Sequence, residues 1–164
     1  MTDIAYYESP IGKLLLSADG TGLTGLWFEG QKYYGAGITE NPAFRENAHI
    51  CDAADWLDSY FSGLIPKNTP KLHMQGTEFR TSVWKLLLEI PYGKTTTYGE
   101  LAAKLAAVNN SGRISARAAG GAVGHNPISI IVPCHRVIGA DGTLTGYAGG
   151  IERKEYLLRL EKII

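Results

Sequence analysis

The residues best suited to chemistry stand side by side in the segment Pro133-Cys134-His135-Arg136. A thiolate is a strong nucleophile, and a neighbouring imidazole can accept the proton that the thiol must lose. The preceding residues, Ile128–Val132, are mostly apolar and predict a buried, extended run that Pro133 ends, since proline fixes φ and has no amide hydrogen. The segment therefore favours a cysteine nucleophile. The alternative is an inert buried thiol beside a surface histidine, because free cysteine is among the most buried residue types.

Length and composition predict an ordinary globular protein of one domain or two small ones. The chain has 164 residues, of which 45% are hydrophobic and 20% charged. No apolar run is long enough to cross a membrane, and Met1–Ile4 lacks the basic and apolar regions of a signal peptide. Two cysteines, Cys51 and Cys134, do not make a disulfide framework. We therefore expect a cytoplasmic protein whose thiols stay reduced.

Charge is distributed unevenly along a chain whose net charge is zero. Residues 1–74 hold five basic and nine acidic residues, whereas residues 75–164 hold eleven basic and seven acidic ones. This difference allows a basic C-terminal face on a protein that is neutral as a whole. A chance fluctuation of the same size is the alternative.

Three short strands are predicted at the start of the chain, at Ile4–Tyr7, Leu14–Ala18 and Leu23–Phe28. The connections between them hold the proline and glycine residues that are typical of turns. Because these connections are short, we expect an antiparallel meander. Residues 29–44 then predict a loop that contains a short edge strand.

A helix over residues 45–62 is predicted next, because apolar residues recur there at helical spacing. Cys51 lies on the predicted apolar face, so we expect it to be a core residue. Residues 65–75 predict a connector with a short strand at Lys71–Met74. Nothing in this half suggests chemistry. We expect an α/β domain over residues 1–74 that supports a functional domain over residues 75–164.

A helix-turn-helix outline is predicted for the first part of the C-terminal half. Apolar residues at helical spacing predict a helix over residues 77–89. Thr97 and Glu100 form a capping box that starts a second helix, which places Tyr98 at its beginning. A third, short helix of small residues is predicted over residues 114–123.

Arg117 is the one long polar side chain of the third helix. An arginine that stands out of an Ala/Gly surface can enter a nucleic-acid groove. The alternative is a helix packed tightly on the protein itself with Arg117 merely solvated. Asn126 lies in the following turn, where its amide can bond backbone groups. Beyond the cysteine, residues 139–150 predict a small-residue loop without a nucleotide-binding motif, and residues 152–162 predict a closing helix.

The C-terminal half resembles the O6-alkylguanine-DNA alkyltransferases, also called methylated-DNA–protein-cysteine methyltransferases. The Pro-Cys-His-Arg core is supported by further motifs whose order and spacing agree from about residue 77 to residue 161. These motifs are Ile90-Pro91-Tyr92-Gly93, Thr97-Tyr98, Arg117–Asn126, Thr145–Gly150 and Arg153-Lys154-Glu155. The N-terminal half resembles the family only in outline.

The resemblance implies a ribonuclease-H-like α/β N-terminal domain and a mainly α C-terminal domain with a winged-helix-type helix-turn-helix. It also implies direct DNA repair, in which an O6-alkylguanine is flipped out of the duplex and its alkyl group passes irreversibly to a cysteine. O4-alkylthymine is a further candidate substrate. The partner is double-stranded DNA approached from the minor groove, the protein acts once, and a monomer is expected.

By resemblance, Cys134 is the nucleophile and alkyl acceptor. His135 takes the thiol proton through a water, and Glu161 orients His135. Tyr98 protonates the leaving guanine, and Asn126 braces the active-site turn. Arg117 occupies the gap that the flipped base leaves, which offsets part of a flipping cost of roughly a few kcal/mol. By resemblance, the residues of the recognition helix that contact DNA are Ser115, Ala116, Ala118 and Gly120, together with Tyr98. The residues expected to line the base pocket are Val137, Ile138, Tyr147 and Ala148.

No cofactor is implied, because the alkylated base supplies the free energy of transfer. No metal site is expected, since residues 1–30 lack the cysteine and histidine ligands that hold zinc in some family members. Two other functions compete with repair. One is a module that senses lesions without repairing them, and the other is a hydrolase that uses Cys134, His135 and either Asn126 or Glu161. Adjacent positions are awkward for a hydrolase dyad, whose partners normally come from separate elements.

Overall fold

A computed structural model describes all 164 residues of the chain. The chain divides into two compact units. The first contains Met1–Gln75 and Pro127–Ser129, and the second contains Gly76–Asn126 and Ile130–Ile164. The division into a supporting domain over residues 1–74 and a functional domain over residues 75–164 stays a prediction. None of the helices has the length and apolar character needed to cross a membrane.

The first unit is built on a four-stranded sheet with the strand order β3-β2-β1-β4. The strands are β1 (Asp3–Ser9), β2 (Gly12–Ala18), β3 (Leu23–Phe28) and β4 (Ala43–Phe44). The first three pair antiparallel, as the short turns predicted, and the two-residue β4 pairs parallel with β1 as an edge strand. Burial alternates along the second half of β1, so one face of that strand meets solvent, whereas β2 and β3 are buried almost continuously.

Helix α1 (Ala48–Phe61) completes the first unit, and its N-cap Asn47 accepts a hydrogen bond from the amide of His49. The prediction that Cys51 is a core residue is wrong, because its side chain is exposed. Helix α1 buries a narrower stripe, formed by Ile50, Ala53, Leu57 and Tyr60. The strand predicted at Lys71–Met74 is also wrong, since Leu72 makes only a single bridge with Leu23.

The second unit consists mainly of helices. These are α2 (Glu78–Leu87), α3 (Tyr98–Val108), α4 (Ala116–Gly124) and α5 (Ile151–Leu160). Thr97 and Glu100 form the predicted capping box of α3, and the N-caps Thr77 and Ser115 start α2 and α4. The indole N–H of Trp84 donates to the carbonyl of Ala122 at 2.9 Å and ties α2 to α4. Two short parallel strands, β5 (Thr96–Thr97) and β6 (Val137–Ile138), were not predicted.

The prediction of an extended run over Ile128–Val132 is wrong in conformation, although these residues are buried. Most of this segment is a series of turns, and Ile130 has a φ of 71°, in the left-handed region. Pro127–Ser129 pairs with β3 in the first unit, where Leu26 donates to the carbonyl of Pro127 and accepts from the amide of Ser129. An apolar run indicates burial, but it does not by itself decide whether the backbone is extended or turns.

Candidate active site and nucleic-acid interface

Cys134 begins a single turn of 3₁₀ helix, Cys134–Arg136, and only 6% of its surface is exposed. Its amide donates to the carbonyl of Val132 at 2.8 Å. The side-chain amide of Asn126 donates to the same carbonyl at 2.9 Å. Asn126 therefore bonds the backbone of the active-site turn, as its position in the sequence suggested.

The thiol of Cys134 is held in its neutral form by the surroundings. Burial raises the pKa of Cys134, and the side-chain hydrogen bond from Asn126 and the positive charge of Lys154 act against this rise without cancelling it. A neutral thiol is a weak nucleophile, so transfer chemistry at this position requires a base.

His135 and Glu161 form a buried pair whose side chains are both fully inaccessible to solvent. The Nε2 atom of His135 lies 2.5 Å from Oε2 of Glu161. Glu161 stands 26 positions after His135 and caps the C-terminus of α5. The sequence alone gave no reason to join these two residues, and only the family resemblance predicted the pair.

The second carboxylate oxygen of Glu161 is also occupied. Its Oε1 atom accepts from Nε of Arg136 at 2.8 Å and from the amide of Gly93 at 3.1 Å. Arg136 in turn donates from Nη1 to the carbonyl of Ile90 at 2.7 Å, and its guanidinium lies over the ring of Tyr92. Arg136 is thus a structural partner of the carboxylate.

These contacts set the protonation of the pair. Burial by itself raises the pKa of Glu161, but the hydrogen bonds and charges of His135 and Arg136 outweigh it and lower the pKa to about 2. Burial lowers the pKa of His135, with Glu161 opposing the shift. A neutral imidazole that donates through Nε2 carries no proton on Nδ1, which is the form that a base needs.

Lys154 also belongs to the candidate site, although the sequence did not predict it there. Its side chain is completely buried, and its Nζ donates to the carbonyls of Val137 at 2.6 Å and Thr145 at 2.9 Å. Burial lowers its pKa to about 8, while the nearby Cys134 favours the charged form. The available signal was periodicity, since Lys154 lies three and four residues before the buried Leu157 and Leu158 on one helical face.

Tyr98, the first residue of α3, ties that helix to the loop before α5. Its hydroxyl donates to the carbonyl of Thr145 at 3.0 Å, which is the same carbonyl that Lys154 contacts. A Cβ atom on Gly146 would lie 3.2 Å from this hydroxyl, and φ of Gly146 is +68°, so glycine fits this position for two reasons. An open depression of about 380 Å³ lies beside the hydroxyl and is lined by Tyr98, Ala116, Arg117, Gly120, Thr145 and Gly146.

Helix α4 has one packed face and one open face. Ala119, Ala122 and Val123 are buried, whereas the residues of its first turn are exposed. The hydroxyl of Ser115 accepts from the amide of Ala118 at 3.0 Å and fixes the start of the helix. Arg117 is exposed and makes no hydrogen bond or ion pair within the protein. The structure therefore brings Arg117, Ser115, Ala116, Ala118 and Gly120 onto one short helix beside Tyr98.

The four residues expected to line a base pocket fall on two segments. Val137 is buried and Ile138 half-buried in β6, while Tyr147 is buried and Ala148 half-buried in the loop before α5. Lys154 bonds the backbone of both segments, through Val137 and Thr145. The structure holds no group of three or more histidine, cysteine or acidic side chains placed to bind a metal ion.

Comparison with known protein families covers both units. The family model described as the 6-O-methylguanine DNA methyltransferase DNA-binding domain matches residues 78–163. The model described as the 6-O-methylguanine DNA methyltransferase ribonuclease-like domain matches residues 4–69. The predicted fold class, a ribonuclease-like N-terminal part followed by a mainly helical DNA-binding part, is confirmed.

Individual proteins are similar over nearly the whole chain. A methylated-DNA–protein-cysteine methyltransferase of Mycobacterium tuberculosis is 48% identical over 155 residues, which cover 94% of this chain and 89% of that protein. The protein of the same name from Methanosarcina acetivorans is 47% identical over 159 residues, which cover 96% of both chains. The crystal structure of Mycobacterium tuberculosis OGT in complex with DNA superposes with a TM-score of 0.84 at 45% identity, over 98% of this chain and 92% of that one.

Proposed function

Because the chain belongs to the 6-O-methylguanine DNA methyltransferase family, we propose that it repairs DNA by moving the alkyl group of O6-alkylguanine irreversibly to Cys134. The observation that carries this proposal is the buried line of Cys134, His135 and Glu161, in which a carboxylate holds the imidazole that follows the thiol. Such an arrangement activates a cysteine that its surroundings otherwise keep neutral.

The reaction is a displacement at a saturated carbon. His135 takes the thiol proton through a water molecule, and the Cys134 sulfur forms a bond to the alkyl carbon as the bond from that carbon to O6 breaks. The electron pair of the broken bond stays with guanine. A ring nitrogen of the guanine then accepts a proton from the Tyr98 hydroxyl. The proton held by His135 restores the hydroxyl through solvent, so that the sum is a thioether and an unmodified guanine.

Glu161 lowers the free energy of the step in which His135 becomes positively charged. A buried imidazolium is costly unless a negative charge lies beside it, and the carboxylate at 2.5 Å provides that charge. Hydrogen bonds from Arg136 and Gly93 keep the carboxylate ionised and oriented. Asn126 and Lys154 favour the thiolate that results.

The open face of α4 is the surface that meets double-stranded DNA. Its small side chains, from Ser115 and Ala116 to Ala118 and Gly120, let the helix backbone approach the minor groove, and Arg117 fills the gap that the extruded base leaves. The depression beside the Tyr98 hydroxyl gives the flipped nucleotide a way in. The pocket for the base is lined by four residues, Val137, Ile138, Tyr147 and Ala148. O4-alkylthymine is a second candidate substrate for this pocket.

The protein acts once and as a monomer. A thioether is stable, and no group near Cys134 removes the alkyl group. No cofactor takes part in the steps above, because the alkylated base is itself the activated donor.

The experiment that tests this function is an intact-mass measurement after incubation with duplex DNA that carries labelled O6-methylguanine. We expect one methyl group per chain, on Cys134, and none on Cys134→Ser, which still binds the duplex. Cys51→Ser is the matched control, since it removes the other, exposed cysteine and should leave transfer unchanged. An unmodified mass with tight lesion binding would instead indicate a sensor, and repeated turnover would indicate a hydrolase.

A further inference from the structure

The turn between α3 and α4, Asn109–Ser115, is longer than a helix-turn-helix requires. It has seven residues, whereas three or four suffice to connect the two helices. Residues 109–113 are all exposed, and Val108 before them exposes 65% of its surface. The extra length therefore adds little to the core. The one charged side chain in the turn is Arg113.

Arg113 differs from most arginines of the chain in having no partner. Four arginines donate side-chain hydrogen bonds within the protein, namely Arg45, Arg136, Arg153 and Arg159. The other three make none, and of these Arg80 is half-buried whereas Arg113 and Arg117 are exposed. Between residues 98 and 126 the single carboxylate is Glu100, which accepts hydrogen bonds from Thr96 and Thr97 in the capping box. Nothing in this segment neutralises the two guanidinium groups.

The backbone next to Arg113 is held in place. Ile114 is half-buried, and Ser115 is the N-cap of α4. The four residues from Arg113 to Arg117 span at most about 14 Å even when fully extended. The minor groove of B-DNA is about 6 Å wide. When Arg117 lies in the groove, Arg113 is therefore within reach of the phosphates that border it.

We propose that Arg113 binds a backbone phosphate of the DNA and anchors the recognition helix without reading sequence or lesion. This inference rests on the proposed function, since it requires that α4 face the duplex. A guanidinium suits this task because its planar array of donors matches two phosphate oxygens. Arg113 thus contributes affinity for any duplex, while Arg117 contributes the preference for a duplex whose base can be flipped.

The test measures dissociation constants over a range of salt concentrations for an unmodified duplex and for one with O6-methylguanine. All proteins carry Cys134→Ser, so that the lesion persists. In this background, Arg113→Ala should weaken binding to both duplexes several-fold and by the same factor. It should also reduce the steepness of the plot of log binding constant against log salt concentration by about 0.9. Arg113→Lys should keep the slope. Lys67→Ala, which removes an exposed charge from the first unit, is the control for loss of charge alone.

Three results would overturn the inference. One is an unchanged salt slope for Arg113→Ala, the second is an effect no larger than that of Lys67→Ala, and the third is a loss confined to the lesion duplex. Arg113→Glu gives a second reading, with a larger loss expected from repulsion. If the parent protein binds neither duplex, the proposed function fails together with the inference. If the parent binds both duplexes and Arg113→Ala leaves the dissociation constants unchanged, only the inference fails.

Discussion

The candidate active centre and helix α4 lie in one compact unit, yet their charged side chains have opposite surroundings. At the centre, the side chains of His135, Arg136, Lys154 and Glu161 are buried, and each makes hydrogen bonds to protein groups. On α4, Arg117 is exposed and has no partner in the protein. The charged groups of the candidate centre are thus paired within the protein, whereas Arg117 on α4 is left open to solvent.

The difference follows from desolvation. A buried charge is costly unless it is paired and hydrogen-bonded. The groups around Glu161 therefore form a network in which the loss of one member leaves the others buried without a partner. An exposed guanidinium keeps its water and costs nothing to leave unpaired. Substitutions at the centre should therefore damage both chemistry and stability, and substitutions on α4 should damage function alone.

Glu161→Gln should have the largest effect. The amide keeps the shape of the side chain but removes the charge that stabilises the imidazolium, so we expect the single-turnover rate constant for methyl transfer to fall by about 10²-fold or more. Glu155→Gln is the matched control on the same helix, because Glu155 forms only an exposed pair with Arg159. Comparable rate constants for the two variants would break the contrast between centre and surface.

Acid stability should show the same contrast as a free energy. The pKa of Glu161 lies at about 2 in the folded protein and near 4.5 when unperturbed. Its contribution is therefore fully present above about pH 4.5 and is lost as the pH falls towards 2, an effect on the order of 3 kcal/mol. Urea unfolding at a series of pH values measures it. Glu161→Gln should give a flatter dependence, and a parallel curve would contradict the assigned pairing.

Arg117→Ala should have the smallest effect on the protein itself. The free energy of unfolding should stay within about 0.5 kcal/mol of the parent value, because the side chain has no partner to lose. Repair of a duplex should slow by roughly tenfold, since the variant cannot fill the gap left by the flipped base. The reaction with free O6-alkylguanine base needs no flipping and should keep its rate, whereas an equal loss with both substrates would assign Arg117 to the chemistry.

Local features of the fold were predictable because their causes lie within a few residues. The tight turns predicted the antiparallel meander, and the Thr97–Glu100 capping box predicted the start of α3. The exposure of single side chains was less predictable, as Cys51 shows. Apolar residues at helical spacing indicate which face of a helix is buried, but they do not show how far around the helix the buried surface extends. The β5–β6 pairing joins residues some 40 positions apart, and nothing local indicates it.

The sequence by itself determined the chemical identity of the centre, namely a thiol followed by an imidazole after a proline, and the small-residue helix that carries Arg117. Tertiary structure decided how reactive that thiol and imidazole are. It turned the apolar run before Cys134 into buried turns, brought Glu161 from the end of α5 to His135, and placed the amine of Lys154 on the carbonyls of Val137 and Thr145. The reason is physical: residue type and spacing act through local backbone geometry, whereas pKa values depend on burial and on charges that meet only when the chain is folded.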